Sequence, residues 1–272
     1  MTITAALLLA AVAVGGQPCA PAYKAGMTVR HAAFGGVIAP TTNDASDAVA
    51  AGITVRTAAR RYLGLDVPSF LIATPALAVK QRTTGCAFVF AWRFSRGRGG
   101  TPLPSHVLPH EIGHDLFIRF LVPRRGVDEY GGAAPDWLDE MAAIACEDAA
   151  GVAARREEAR RHAAEGRLIP LYRLLSMQHP EWRASGAAPQ LGGPGQPRSA
   201  DTPAFYATVR ALFDFLVART GDDRVIVRLA ARVREGSPID PHYLTQLAGG
   251  SASAEPTSLD AALAAFAVLG GR

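Results

Sequence analysis

His110, Glu111 and His114 stand in the run Leu108-Pro109-His110-Glu111-Ile112-Gly113-His114-Asp115-Leu116-Phe117, an HExxH spacing. On a helix of 3.6 residues per turn, positions four apart lie about 40° from each other. Both imidazoles therefore leave one face and can share a single metal ion. Neutral imidazole nitrogen in a tetrahedral set suits zinc, which brings no redox chemistry. Glu111 follows the first ligand directly, so its carboxylate can take a proton from a water acidified by that ion without ligating the ion itself. The helix that must carry these groups has apolar residues at Val107, Leu108, Ile112, Leu116, Phe117 and Phe120, a spacing suited to burial. Packing accounts for those residues and leaves the three polar ones unexplained.

A catalytic zinc site needs three protein ligands and one open position. An HExxHxxGxxH continuation would require Gly at 117 and His or Asp at 120; Phe117 and Phe120 exclude it. The alternative is a glutamate from a following helix. The run Ala134-Pro135-Asp136-Trp137-Leu138-Asp139-Glu140-Met141-Ala142-Ala143 supplies one. Pro135 suits a helix start, and Asp136 suits the positive end of the helix dipole. Trp137, Leu138 and Ala142 can pack while Glu140 serves as third ligand, with Asp136 and Asp139 as rivals.

Together these two segments resemble the gluzincin zinc metallopeptidases, in which HExxH is followed by a helix reading roughly Pro-x-Trp-Leu-x-Glu-Gly-x-Ala. Met141 stands where that pattern has Gly, and the interval from His114 to Glu140 is slightly longer than in thermolysin-like enzymes. The helical stretches that follow, from Phe205 through Gly221-Asp222-Asp223 to Leu269, are similar to the closing helices of small secreted gluzincin-like peptidase domains. The resemblance implies an α+β fold: an N-terminal mixed sheet with helices, the zinc helix, then a mainly helical C-terminal half. It implies Zn2+ held by His110, His114 and Glu140, a peptide or protein substrate, and Glu111 as the proton acceptor. Gluzincins also use a Tyr or His from the helical half to bind the oxyanion. Tyr206 lies in that interval, whereas Tyr172, His179 and His242 are less well placed. Asp115 and Glu147 can each accept an imidazole N–H, and the sequence does not choose between them. The Gly-x-Met-Glu-Asn motif of gluzincin aminopeptidases is absent, which favours an endopeptidase. A non-catalytic binding module that keeps the fold is the alternative, against which stands the intact HExxH with its Glu. A closed structural site would want nearby cysteine, and none lies close to His110.

The whole chain has 272 residues, 49% hydrophobic and 19% charged, as expected for a globular protein. The net charge is only +4, and arginine supplies almost all of the positive side, Lys24 and Lys80 being the only lysines. The pairs Arg124-Arg125, Arg155-Arg156 and Arg160-Arg161 are scattered, and no basic run alternates with aromatics, so nucleic acid is not an expected partner. Ala5 to Val14 followed by Gly15 and Gly16 resembles the core of a signal peptide cleaved near Gly16, although no Lys or Arg precedes it. The run is too short to span a bilayer, which takes ~20 apolar residues. The expectation is a secreted or periplasmic chain without a membrane span; a buried N-terminal helix is the alternative. Cys19, Cys86 and Cys146 sit in no metal-ligand spacing. Export would allow one disulfide and leave one thiol, and Cys146, among alanines, suits a buried free thiol.

The elements that must position these groups follow from patterning. Residues 27–38 read as a strand, 44–63 as a helix, and 69–74 and 86–94 as strands. The last stands where gluzincins have the edge strand that pairs with extended peptide, and is otherwise a core strand. Ser105 suits the cap of the zinc helix, and Pro109 predicts a late start to it. Further helices are expected at 136–149, 151–164, 168–178, 203–219, 223–235 and 258–269, and a mobile loop at 185–202. The resulting organisation is a signal peptide at 1–16, an α/β subdomain at 27–120 with the zinc helix, and a helical subdomain at 121–272 with the third ligand.

Overall fold

The computed structural model describes residues 19, 24–80, 85–94, 103–122, 134–180, 202–250 and 256–270. The expected signal segment 1–16 lies outside them, as do most of the segments 95–104, 123–134 and 185–202.

Residues 27–38 form a hairpin rather than the single strand expected. β1 (Thr28–Ala32) and β2 (Gly35–Ala39) pair antiparallel, with Thr28 opposite Ala39. The reversal depends on Gly35, whose φ is +127°, and a Cβ there would lie 2.2 Å from the carbonyl oxygen of Phe70. β3 (Phe70–Ala73) pairs parallel with β2, and β4 (Phe88–Ala91) pairs parallel with β3. The order β1-β2-β3-β4 makes a mixed sheet with β4 at one edge. Phe34, in the β1–β2 turn, stacks on Phe70 at 4.7 Å, and across the strands Phe70 stacks on Phe88 at 4.9 Å.

α1 (Thr42–Ala58) starts at Thr41, whose Oγ1 accepts from the Asp44 backbone N–H at 3.2 Å. Its buried side is built of Ala45, Ala48, Ala51, Val55 and Ala58, small enough to lie close against β2 and the helix that carries His110. After α1 the chain makes a wide π turn over Ala59–Leu63. α2 (Pro75–Lys80) was not anticipated, although proline at a first helical position is a start signal.

α3 (Val107–Leu116) carries His110 and His114 and continues as a π turn over Phe117–Leu121. The late start expected from Pro109 does not occur. Pro109 lies in the first turn, where a backbone N–H has no intrahelical acceptor to lose. Nor does Ser105 cap α3: His106 is the residue before the helix, and the Ser105 hydroxyl bonds Asp148 instead. Leu108, Ile112, Leu116 and Phe117 are buried as expected, but Phe120 is 38% exposed because the π turn rotates it off the apolar face. Arg119 lies over the Phe88 ring at 4.8 Å and joins this end of the helix to the sheet.

The rest is helical: α4 (Asp136–Ala145), α5 (Ala149–Ala164), α6 (Leu171–Leu174), α7 (Thr202–Thr220), α8 (Val225–Arg234), α9 (Pro241–Leu247) and α10 (Pro256–Val268). The helix expected over 168–178 shrinks to α6, since Pro170 adopts an extended backbone and bars a helix running through it. α9 is not among the helices expected from the sequence, yet Asp240 caps it by accepting from the Tyr243 N–H at 2.8 Å. α4 is the central helix, with Trp137, Leu138, Met141, Ala142, Ala143 and Ile144 fully buried. Each large side chain so buried contributes roughly 1.5–3 kcal/mol. One continuous core runs from Phe34 and Phe70 through Ile112 and Trp137 to Phe205 and Leu263. An N-terminal mixed sheet with helices, including the helix of His110 and His114, is thus followed by a mainly helical C-terminal half.

Cys19 and Cys86 form a disulfide beside β4, and Cys146 is a buried free thiol. Such a bond fits an oxidising compartment. Among the described residues no helix is long and apolar enough to cross a membrane.

Candidate metal centre

α3 and α4 cross where both are thinnest. A Cβ at Gly113 would lie 2.8 Å from Ala143 Cα and 3.0 Å from Cys146 Cβ, so only glycine permits this approach. Met141, at the position where gluzincins have Gly, is fully buried in the core; the close contact is made by Gly113 and Ala143 instead. The crossing brings Glu140 under the two imidazoles. His110 Nε2 lies 2.9 Å from Glu140 Oε1, and His114 Nε2 lies 3.6 Å from Glu140 Oε2. The two Nε2 atoms are 3.2 Å apart. One ligand atom from each of the three residues falls within 4.8 Å of the others.

The far side of each ring is also held. His110 Nδ1 lies 3.0 Å from Glu147 Oε1, and His114 Nδ1 lies 2.9 Å from Asp139 Oδ2. Both Nδ1 atoms therefore face carboxylates, both Nε2 atoms face Glu140, and each ring is set for coordination through Nε2. Of the two carboxylates expected to support a ring, Glu147 does so. Asp115 instead makes an i,i+4 pair with Arg119 at 2.9 Å, because its place on α3 is one residue beyond the face that meets α4. Asp139, weighed as a rival ligand, takes the supporting role on His114. Asp136 is not in the cluster: its Oδ2 accepts from the His179 backbone N–H at 2.5 Å.

Electrostatics within the cluster are strong because Glu140 and Glu147 are fully buried. Burial would lower the His110 pKa, but the Glu140 and Glu147 carboxylates outweigh it and raise it to about 10. For His114, burial is likewise outweighed, here by Asp139 and Glu140, and its pKa rises to about 9. Burial would raise the Glu140 pKa, yet His110 and His114 hold it well below the ordinary carboxylate range. A buried carboxylate is tolerated only with positive partners, a role that a divalent ion held between the three residues would fill.

Glu111 is half-buried, between the buried His110 and Ile112. Tyr206, in the first part of α7, is half-buried, and its ring centre is 6.2 Å from that of His110. Tyr172 and His242 are exposed. His179, set aside in the sequence, is brought in: it is 2% exposed, its Nε2 lies 3.3 Å from Glu140 Oε2, and its ring centre is 5.8 Å from that of Tyr206. No spacing signal marks His179, since its place depends on a contact with Asp136 made 43 residues away along the chain.

No family model, curated protein or solved structure matches this chain. What the site defines is a buried His110, His114 and Glu140 cluster compatible with metal coordination. Two imidazole nitrogens and one carboxylate oxygen, with carboxylates behind both rings, form a donor set that a divalent metal ion could use.

Proposed function

We propose that the chain is a zinc-dependent metallopeptidase of the gluzincin kind, acting on peptide or protein substrates. The observation that carries this reading is the convergence of two carboxylate-braced imidazoles on one buried glutamate, with Glu111 beside the first. His110, His114 and Glu140 would hold zinc. When bound, zinc supplies a Lewis acid that makes a water nucleophilic at neutral pH and polarises the scissile carbonyl. In this reading Glu111 accepts the proton of the attacking water and returns it to the leaving amine. The chain's own hydroxyl for the developing oxyanion is Tyr206, a role supported by its ring lying beside His110. β4, at the sheet edge with Ala91 exposed, is the candidate to pair with an extended peptide. Residues 27–120 would then contribute both histidines and the proton acceptor, and 121–272 the glutamate.

The test is hydrolysis of a peptide library by purified protein, with zinc content measured on the same material. Cleavage that stops on chelation and returns with about one zinc per chain is the expected outcome. Zinc binding without cleavage of any peptide would leave a binding module. For Tyr206→Phe, kcat should fall by ~10²–10³ with little change in KM or zinc content. Unchanged kcat would remove Tyr206 from the mechanism.

Export belongs to the same reading, supported by the apolar segment Ala5 to Val14 and the Cys19–Cys86 disulfide. Mass spectrometry of native material should find a chain starting near Gln17 outside the cytoplasm. An intact Met1 on cytosolic protein would contradict it.

A further inference from the structure

Arg155 lies on α5, outside every motif in the sequence, yet it touches both Glu147 and Tyr206, the two groups that flank His110. Its Nε and Nη2 both donate to Glu147 Oε1, each at 3.2 Å. That same oxygen lies 3.0 Å from His110 Nδ1. The guanidinium also covers the face of Tyr206, 4.3 Å from the ring centre. Nη1 turns to Glu158 on the outer side, 3.8 Å away. The Arg155 side chain is 18% exposed and that of Glu147 is fully buried, so these contacts are made largely out of water.

The physical consequence is directional. A buried carboxylate facing only an imidazole has several rotamers open to it, and the imidazole can turn with it. A guanidinium donating two N–H groups to one oxygen fixes that oxygen, because the fork is planar and rigid. Glu147 then fixes His110 Nδ1, which leaves Nε2 as the nitrogen facing Glu140 and His114. The opposite side of the guanidinium plane is used by Tyr206, where the attraction between cation and ring sets the height of the ring above α5.

We propose that Arg155 is a positioning residue of the metal centre: acting through Glu147 and Tyr206, it sets the orientation of His110 and the seat of the Tyr206 ring. The inference rests on the metal-centre reading above. It adds a residue to that centre which neither touches a ligand atom nor belongs to the HExxH and Glu helices.

The experiment measures the affinity of the apo protein for zinc and for cobalt(II), with the visible absorption of the cobalt form as a report on ligand geometry. The variants are Arg155→Met, Arg155→Lys, Glu147→Gln and the double variant Arg155→Met/Glu147→Gln. Arg155→Met keeps the length and much of the apolar stem of the side chain. It should weaken metal binding by roughly 10–100-fold, the range known for partners of metal-binding histidines, and alter the cobalt spectrum. Arg155→Lys should recover part of the affinity, since an ammonium can pair with Glu147 but lacks the fork. In the Glu147→Gln background, Arg155→Met should cost little more, because the path to His110 is already broken. A merely structural arginine predicts the opposite pattern: lower thermal stability, with affinity and cobalt spectrum unchanged in the folded protein. That pattern, or full additivity of the two substitutions, would overturn the proposal. If Arg155→Met does not fold, the Arg155→Lys affinity and spectrum decide, and wild-type values there would overturn it equally. Failure of the wild-type protein to bind either ion would instead refute the metal centre itself.

Discussion

Glu111→Gln is expected to leave a folded, zinc-binding protein that no longer cleaves peptides. The amide keeps the size and shape of the carboxylate, and residue 111 is only half-buried, so the fold has little to lose. Metal binding should persist, because the clustered ligand atoms come from His110, His114 and Glu140. What disappears is the capacity to accept a proton next to the first ligand. Loss of a positioned general base lowers kcat by roughly 10²–10⁴-fold. Comparing zinc content, thermal midpoint and turnover on one preparation separates the possibilities. Near-normal turnover in a zinc-loaded Glu111→Gln protein would show that peptide hydrolysis, if present, does not run through this motif.

His114→Ala should abolish tight metal binding and also weaken the fold. The ligand is lost outright, which leaves one imidazole and one carboxylate, too few for a stable zinc site. At the same time Asp139, 2% exposed, loses the ring nitrogen 2.9 Å away, and Glu140 loses the one 3.6 Å away. Breaking a buried pair by removing one partner costs about 3–5 kcal/mol. The variant should therefore unfold at lower temperature than wild type even without metal. Adding Asp139→Asn removes the stranded charge and should restore part of that loss, without restoring zinc. Circular dichroism in the cold confirms that the protein measured is folded, and metal competition against a chromophoric chelator gives the affinity. Wild-type zinc occupancy in folded His114→Ala would refute the ligand assignment.

The parts of this site that the sequence determined by itself are those set by local periodicity. Two histidines four apart must share a helix face, and a glutamate next to the first must stand near it, whatever the rest of the chain does. Glu140 was suggested by resemblance rather than by periodicity: Trp137 and Leu138 followed by Glu140 match the gluzincin pattern, while the residues alone left Asp136 and Asp139 as rivals. The alternating run ahead of α3 was legible as a strand, though a hairpin at 28–39 was not, since its turn hangs on the approach of Gly35 to the Phe70 carbonyl of another strand.

Tertiary structure alone decided which polar groups surround His110, His114 and Glu140. Asp115 and Glu147 looked equivalent along the chain. The angle at which α3 meets α4, set by Gly113 against Ala143, chose Glu147 and turned Asp115 toward Arg119. The same crossing set Asp139 against His114 Nδ1, on the side of the ring away from Glu140. His179 and Arg155 enter from segments with no periodic relation to HExxH, through contacts with Asp136 and Glu147. Periodicity reports only neighbours within one helix or strand. Contacts between helices depend on where two surfaces can approach, and that is settled by side-chain volume summed over the whole core.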